Sequence, residues 1–124
     1  MMYSPIFRTG SKEIVRRLVA QGTPVVAGTD MCIPGFSLYR ELELYVDGGL
    51  TPLQALQSAT VVHAAVMNMS DQTGTLEEGK AADIIIVDGT PLNNIKAIRT
   101  DSLVIKGGRV YNPADTHKLA GFIR

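Results

Sequence analysis

The stretch Thr23-Pro-Val-Val-Ala-Gly-Thr-Asp30 places a carboxylate directly after a short apolar run. The run, residues 25–27, lies between Pro24 and Gly28, and its β-branched residues fit a strand that is covered on both faces. A carboxylate just past such a strand is held rigidly at the edge of a sheet. In parallel α/β folds this edge, at the carboxyl ends of the strands, binds ligands and metals. Asp30 is therefore the first candidate for a functional residue.

A helix is predicted immediately before this strand. Ser11 is a plausible N-cap, and apolar residues recur at helical spacing between charged ones until Gln21-Gly22 closes the helix. The order of helix, short turn and buried strand is the αβ half of a parallel βαβ repeat, so the predicted fold class is α/β. One such unit cannot bury both faces of its strand.

Three more helices are predicted after the loop at residues 31–35. The first covers residues 37–47, and the second begins with Thr51 as N-cap and Pro52 at the first helical position. The third covers residues 61–69, which are rich in Ala, Val and Met, and we expect it to be largely buried. These helices are interpreted as packing elements rather than as sources of chemistry.

The periodicity changes near residue 74. A strand fragment at residues 74–76, a turn at 77–80 and a strand at 82–88 are predicted, followed by a hairpin of residues 103–106 and 109–111 around a Gly-Gly turn. The sequence therefore predicts two units, an α/β unit at residues 1–73 and a small β module at residues 74–124.

Composition limits the class of partner and the compartment. The 124 residues are 45% hydrophobic, and 12 Lys and Arg balance 12 Asp and Glu. This balance gives no electrostatic reason to expect binding to nucleic acid or an anionic membrane, so small molecules or other proteins are the expected partners. The single Cys32 excludes an internal disulfide and fits a reducing compartment. No apolar run is long enough to span a membrane, and no signal peptide is recognisable, so we expect a cytoplasmic protein.

Four segments carry a resemblance to a known family. They are GTD (28–30), LELYVDGGLTPLQALQSAT (42–60), GTLEEGKAADIIIVDGTPL (74–92) and VIKGGRVY (104–111). In this order they resemble the C-terminal third of the amidohydrolase superfamily, the metal-dependent hydrolases related to imidazolonepropionase and Xaa-Pro dipeptidase. The resemblance implies that residues 10–48 are the last helix-strand-helix portion of a (β/α)8 TIM-like barrel and that residues 74–111 belong to a small β-sandwich.

The resemblance also implies a role for Asp30. In this family the Asp after the eighth barrel strand is a metal ligand and general base, which takes a proton from the metal-bound water and passes it to the leaving nitrogen. The chemistry agrees, because a hard carboxylate on a rigid strand end can bind a divalent metal such as zinc and accept a proton. The alternative is that Asp30 only caps the loop or the following helix.

The other ligands of the family's metal site are not in this sequence. The resemblance implies a His-x-His pair, a Lys or Glu, and two further His residues from earlier barrel strands. The chain has two histidines, His63 and His117, and both follow Asp30. Asp30 and Cys32 together fall short of the three protein ligands that a catalytic zinc site keeps. We therefore expect the chain alone not to hydrolyse amides.

Other polar or sulfur-bearing residues are expected to have structural roles. Gly79-Lys80 is interpreted as a turn rather than a phosphate-binding loop, because no helix follows it. The methionines at 67 and 69 are expected to fill gaps in the core.

Charged residues on the helices and beside the strands are interpreted in the same way. Glu41 and Glu43, beside Arg40, are interpreted as a solvated or interhelical charged face. Asp83 and Asp88, which flank the apolar strand, are expected to serve turns.

Two hypotheses for function follow. The first is a C-terminal portion of an amidohydrolase whose parent hydrolyses C–N bonds in small substrates. Absent strands would leave edges and apolar faces at residues 23–28 and 83–111, covered by a homo-oligomer or by the missing N-terminal part. The second is a non-catalytic assembly or regulatory module, or a subunit of a split enzyme. The retained Gly28-Thr29-Asp30 favours an ancestral or reconstituted active site.

Overall fold

The computed structural model describes residues 5–30, 36–119 and 121. The elements form a mixed α/β fold, as predicted, in the order α1 (Pro5–Ala20), α2 (Phe36–Asp47), α3 (Pro52–Ser58), α4 (Val61–Val66), β1 (Ile84–Val87), a 3-10 helix (Ile95–Arg99), β2 (Asp101–Lys106), β3 (Arg109–Tyr111) and α5 (Pro113–Leu119). Within these ranges, every helix is too short or too polar to cross a bilayer.

Helix α1 begins earlier than its sequence pattern predicts. It starts at Pro5, so Ser11 lies inside the helix and the prediction of an N-cap there is wrong. Proline is well suited to a first helical position, because its fixed φ fits the helix and its missing N–H needs no partner. The predicted end is confirmed: Gly22 has a φ of 76°, and its N–H donates to the carbonyl oxygen of Val19 at 3.0 Å.

The segment before Asp30 that is predicted as a strand has no strand partner among the described residues. Residues 23–30 have no regular strand assignment, and Ala27 is the residue in this segment that is buried. A strand exists through its ladder with a neighbour, and no other strand among the described residues pairs with this segment. The prediction of a strand that is covered on both faces is therefore wrong for this chain.

The start of helix α3 confirms the predicted cap. Thr51 Oγ1 accepts a hydrogen bond from the Gln54 N–H at 3.2 Å, and Gln54 Oε1 accepts one from the Thr51 N–H at 2.8 Å. This reciprocal pair is a capping box, which satisfies two backbone donors at the helix start. Pro52 occupies the first helical position, as predicted.

Helix α4 is shorter and more exposed than predicted. It ends at Val66 rather than residue 69, and Asn68 follows with a φ of 56°. Ala64 is the residue of α4 that is buried, because the chain returns against it at Gly74. A Cβ atom at Gly74 would lie 2.7 Å from the Ala64 Cβ, so glycine is required for this close approach.

The three strands form one antiparallel sheet in the order β1-β2-β3. Ile84 pairs with Ile105, which in turn pairs with Val110. The predicted hairpin is confirmed: Gly107 and Gly108 have φ values of 56° and 78° between β2 and β3, and tight hairpin turns with two positive φ values favour glycine. The strand fragment predicted at residues 74–76 is wrong, because these residues form bends and irregular chain.

Two elements were not predicted from the sequence. The 3-10 helix Ile95–Arg99 begins after Asn94, whose Oδ1 accepts a hydrogen bond from the Lys96 N–H at 3.2 Å. Helix α5 follows the hairpin, in a segment for which no element is predicted.

The hydrophobic core draws on both sides of residue 74. The buried cluster consists of five small or branched side chains: Ala27, Leu42, Ala55, Ile95 and Ile98. The 3-10 helix thus packs into one core with α2 and α3. The division into units at residues 1–73 and 74–124 stays a prediction.

One face of the sheet is apolar and partly exposed. The cross-strand register places five apolar side chains on this face: Ile84, Ile86, Leu103, Ile105 and Val110. Ile86 is 47% exposed and Val110 is 62% exposed. The outer edges of β1 and β3 have no strand partner among the described residues. Such surfaces favour pairing with another chain.

We predict that the chain self-associates through this sheet face. Light scattering coupled to size-exclusion chromatography should give a mass above the 13.3 kDa of one chain. The double variant Ile86→Lys, Val110→Lys should shift the mass towards that of one chain, because two solvated ammonium groups replace apolar contacts.

Leu92→Lys provides the matched control. Leu92 is 53% exposed and lies outside the sheet, so this variant should keep the mass of the unmodified protein. A monomer with a single sharp thermal transition in the unmodified protein would contradict the prediction.

Candidate functional site

Asp30 lies at the end of the extended segment, residues 23–30, and its side chain is exposed. Its backbone has a φ of 51°, in the left-handed region. Among residues other than glycine, Asp and Asn are those that most readily adopt this conformation. The residue is exposed to solvent, which is compatible with binding a ligand there.

Single hydrogen bonds from the helices hold the segment that leads to Asp30. The Ala27 N–H donates to the carbonyl oxygen of Ser58 at 3.0 Å, at the end of α3. The Gly28 N–H donates to Glu41 Oε1 on α2 at 3.1 Å. These two bonds hold the backbone of residues 27 and 28 against α3 and α2.

Glu41 is tied to Tyr45 one helical turn later. The Tyr45 hydroxyl donates to Glu41 Oε1 at 2.6 Å and lies 3.4 Å from the carbonyl oxygen of Val26. Burial, and next the hydrogen bond to Glu41, raise the pKa of Tyr45 far above its usual value. Tyr45 therefore stays protonated and serves as a donor.

The second oxygen of Glu41, Oε2, is buried and makes no hydrogen bond to any described residue. An unsatisfied buried polar atom costs about 1–3 kcal/mol. The interpretation of Glu41 as part of a charged face did not predict its hydrogen bond with Tyr45. The i,i+4 spacing of these two residues on α2 is the sequence signal for that bond.

Glu43, two residues further on α2, makes a different set of contacts. Its side chain is buried, and Arg99 Nε and Arg40 Nη1 donate to it at 2.5 and 2.9 Å. The hydrogen bond from Arg99 is the main cause that lowers the pKa of Glu43. The interhelical interpretation is thus confirmed for Glu43, and the solvated one is wrong. This pair joins α2 to the 3-10 helix.

The described residues do not by themselves fit a metal site. They contain no group of three or more His, Cys, Asp or Glu side chains placed to hold an ion. His63 lies in α4, and the ring of His117 stacks on Phe36 with centroids 5.6 Å apart. Cys32 lies outside the described residues. Asp30 would thus contribute one ligand, and a catalytic site needs others.

The remaining candidates have structural environments. Lys80 Nζ donates to Thr75 Oγ1 at 2.5 Å within a turn, in agreement with the turn predicted there. Asp83 Oδ1 accepts from the Gly107 N–H at 2.8 Å, which confirms its expected role at a turn. Met67 and Met69 are 57% and 39% exposed, so their predicted place in the core is wrong. Helix α4 ends before them, which leaves them on the surface.

We predict that Glu43 makes stability depend on pH. Its folded pKa is lowered, so its contribution is complete above the unfolded value of about 4.3 and is lost as pH falls through the folded pKa. Glu43→Gln should lower the free energy of unfolding at pH 7 by about 1–3 kcal/mol, and it should make the loss of stability on acidification shallower.

Urea unfolding between pH 7 and pH 3 measures this effect. Glu78→Gln, at an exposed turn residue, is the matched control and should leave the curve unchanged. An unaltered pH dependence in Glu43→Gln would show that the ion pair with Arg99 does not contribute.

Comparison with known proteins identifies the family. The model of the Amidohydrolase family matches residues 8–110. The chain is 37% identical over 83 residues to an imidazolonepropionase of Caldanaerobacter subterraneus subsp. tengcongensis, a match that covers 63% of this chain and 20% of that protein. It is 35% identical over 98 residues to an ochratoxinase of Aspergillus niger, covering 75% of this chain and 20% of that protein.

The solved structures agree with the sequence matches. A crystal structure of a Xaa-Pro dipeptidase with bound methionine in the active site superposes with a TM-score of 0.74 at 30% identity, covering 82% of this chain and 25% of that one. The chain thus spans about a fifth of the length of these curated relatives and a quarter of the solved structure. Enzymes of the matched family are generally metal-dependent. The α/β elements, the matched region and the superposition together show that this chain belongs to the amidohydrolase family.

Proposed function

We propose that this chain is the C-terminal portion of an amidohydrolase that cleaves C–N bonds in small substrates, and that Asp30 is its contribution to the active site. One observation carries the proposal. Asp30 is an exposed carboxylate at the end of an anchored extended segment, inside the region that matches the family. The proposed architecture is the last part of a TIM-like barrel with strands of a small β-sandwich.

The carboxylate of Asp30 can act as a general base. In the proposed reaction it accepts a proton from the water that attacks the substrate carbonyl carbon, and it then gives that proton to the nitrogen that leaves. Solvent exposure and a fixed backbone suit this role, because the group must reach both positions without a large rearrangement. The described residues supply this one carboxylate, so the proposal places the other active-site groups, including ligands for a divalent metal such as zinc, on protein outside this chain.

The names of the relatives support a hydrolase but not one substrate. Imidazolonepropionase, ochratoxinase and Xaa-Pro dipeptidase are three differently named enzymes at comparable identity to this chain. We therefore infer the class of bond, C–N, and leave the substrate at the level of a small molecule. The partner that completes the site is either an N-terminal part of the same fold or another copy of this chain.

The alternative is a non-catalytic assembly or regulatory module derived from the family. The lack of a cluster of metal-binding side chains among the described residues favours this alternative. The exposed apolar sheet face, with Ile86 and Val110, also fits a role in assembly.

A chimera separates the two functions. Residues 8–110 of this chain replace the corresponding segment of the imidazolonepropionase, and hydrolysis is measured with the substrate of that relative. If Asp30 is the general base, the chimera should be active and Asp30→Asn should lower kcat by about 10²–10⁴-fold. The amide keeps the size of the side chain but accepts a proton far less readily.

Asp71→Asn is the control, because Asp71 is an exposed carboxylate in a turn. It should leave kcat unchanged, and circular dichroism should show equal folding of all three chimeras. Equal activity of the Asp30→Asn chimera would overturn the catalytic role of Asp30. A folded but inactive chimera with Asp30 present would favour the non-catalytic module.

A further inference from the structure

We propose that Glu41 is a positioning residue for Asp30. Its carboxylate fixes the backbone of Gly28, two residues before Asp30, and so sets the direction in which the Asp30 carboxylate points. The inference rests on the proposed function of Asp30 as the catalytic carboxylate, and it adds a residue on a different element, α2, to the site.

The first argument is the contact itself. Glu41 Oε1 accepts the Gly28 N–H at 3.1 Å across a separation of thirteen residues. A carboxylate forms a stronger hydrogen bond than a neutral acceptor does. The extended segment has no ladder among the described residues, so this bond is the last one that the structure shows before Asp30.

The second argument is that Glu41 is itself held in place. The Tyr45 hydroxyl donates to the same oxygen, Oε1, at 2.6 Å. Tyr45 is partly buried, and its hydroxyl also lies 3.4 Å from the carbonyl oxygen of Val26. Glu41 and Tyr45 thus contact the extended segment at two points from one face of α2. Because its own hydrogen bond fixes the Glu41 carboxylate, that carboxylate can in turn fix the backbone of Gly28.

The third argument is the contrast with Glu43 on the same helix. Both oxygens of Glu43 are paired with arginines, as expected for a buried carboxylate that ties elements together. Glu41 Oε2 is buried and has no partner among the described residues. A carboxylate that served packing alone would be better replaced by a fully satisfied or apolar side chain.

The fourth argument is the backbone of Asp30. A non-glycine residue with a φ of 51° persists when its surroundings determine the conformation. The bonds from Ala27 to Ser58 and from Gly28 to Glu41 supply this constraint on the preceding side. Loss of the Glu41 contact should therefore release the left-handed conformation at Asp30.

Amide hydrogen exchange and NMR on the full 124-residue chain test the contact. Glu41→Leu should speed exchange of the Gly28 amide by about tenfold or more, the change expected when a hydrogen bond to a charged acceptor is lost. The Cα and Cβ chemical shifts of Asp30 should move away from left-handed values. Glu41→Gln keeps an acceptor oxygen, so it should restore most of the protection, and Glu78→Gln should match the unmodified protein.

Kinetics in the imidazolonepropionase chimera test the consequence. Glu41→Leu should lower kcat by about tenfold or more while KM stays within twofold, and Glu41→Gln should recover most of kcat; general misfolding would not be rescued by the amide. Melting temperatures of the Leu and Gln variants, measured on the same samples, identify any loss of folding. If Glu41→Leu misfolds, Tyr45→Phe replaces it, because it removes the donor to Glu41 while keeping the ring.

The outcomes separate this inference from the proposed function. Unchanged Gly28 exchange and unchanged Asp30 shifts in a folded Glu41→Leu chain would overturn the inference, whatever Asp30 does. Full kcat in Glu41→Leu, in a chimera that Asp30→Asn inactivates, would also overturn it and leave the proposed function standing. An Asp30→Asn chimera with full activity would overturn the proposed function, and the role of Glu41 in positioning for catalysis would fall with it, although the exchange data would still establish the contact.

Discussion

The hydrogen bond from the Gly28 N–H to Glu41 Oε1 is the interaction on which the candidate site depends. The segment that carries Asp30 has no neighbouring strand among the described residues. Isolated extended chain has no cooperative ladder, so each bond that holds it matters more than it would in a sheet. Hydrogen bonds to α2 and α3 therefore take the place of a β-ladder and fix the backbone just before the exposed residue Asp30.

Two polar side chains of helix α2 make contacts to different parts of the chain. Glu41, with Tyr45, contacts the extended segment, whereas Glu43 binds Arg99 of the 3-10 helix. The second contact joins parts of the chain that are 56 residues apart. Because Ile95 and Ile98 enter the same core as Leu42, the ion pair and the apolar packing act on the same junction. Movement of α2 relative to the 3-10 helix would thus also move the support of Asp30.

The chain belongs to the amidohydrolase family although its described residues supply too few side chains for a metal site. The chain matches the family over residues 8–110 but spans about a fifth of the curated relatives. In the barrel architecture that we propose, active-site residues would come from the ends of several strands, so a segment of this length can hold one carboxylate of a site without the rest. The exposed apolar face of the sheet provides a surface on which further protein could complete the fold.

The sequence by itself determined the local features and the family. The Thr51 N-cap and the Gly107-Gly108 hairpin depend on neighbouring residues, and local chemistry was sufficient to predict them. The four motifs in order also indicated the family that the comparisons show. Tertiary structure decided the rest. Whether residues 23–28 pair, and whether Met67 is buried, depend on groups distant in the chain. The same holds for the bonds from Gly28 to Glu41 and from Arg99 to Glu43, because neither periodicity nor spacing encodes those distances.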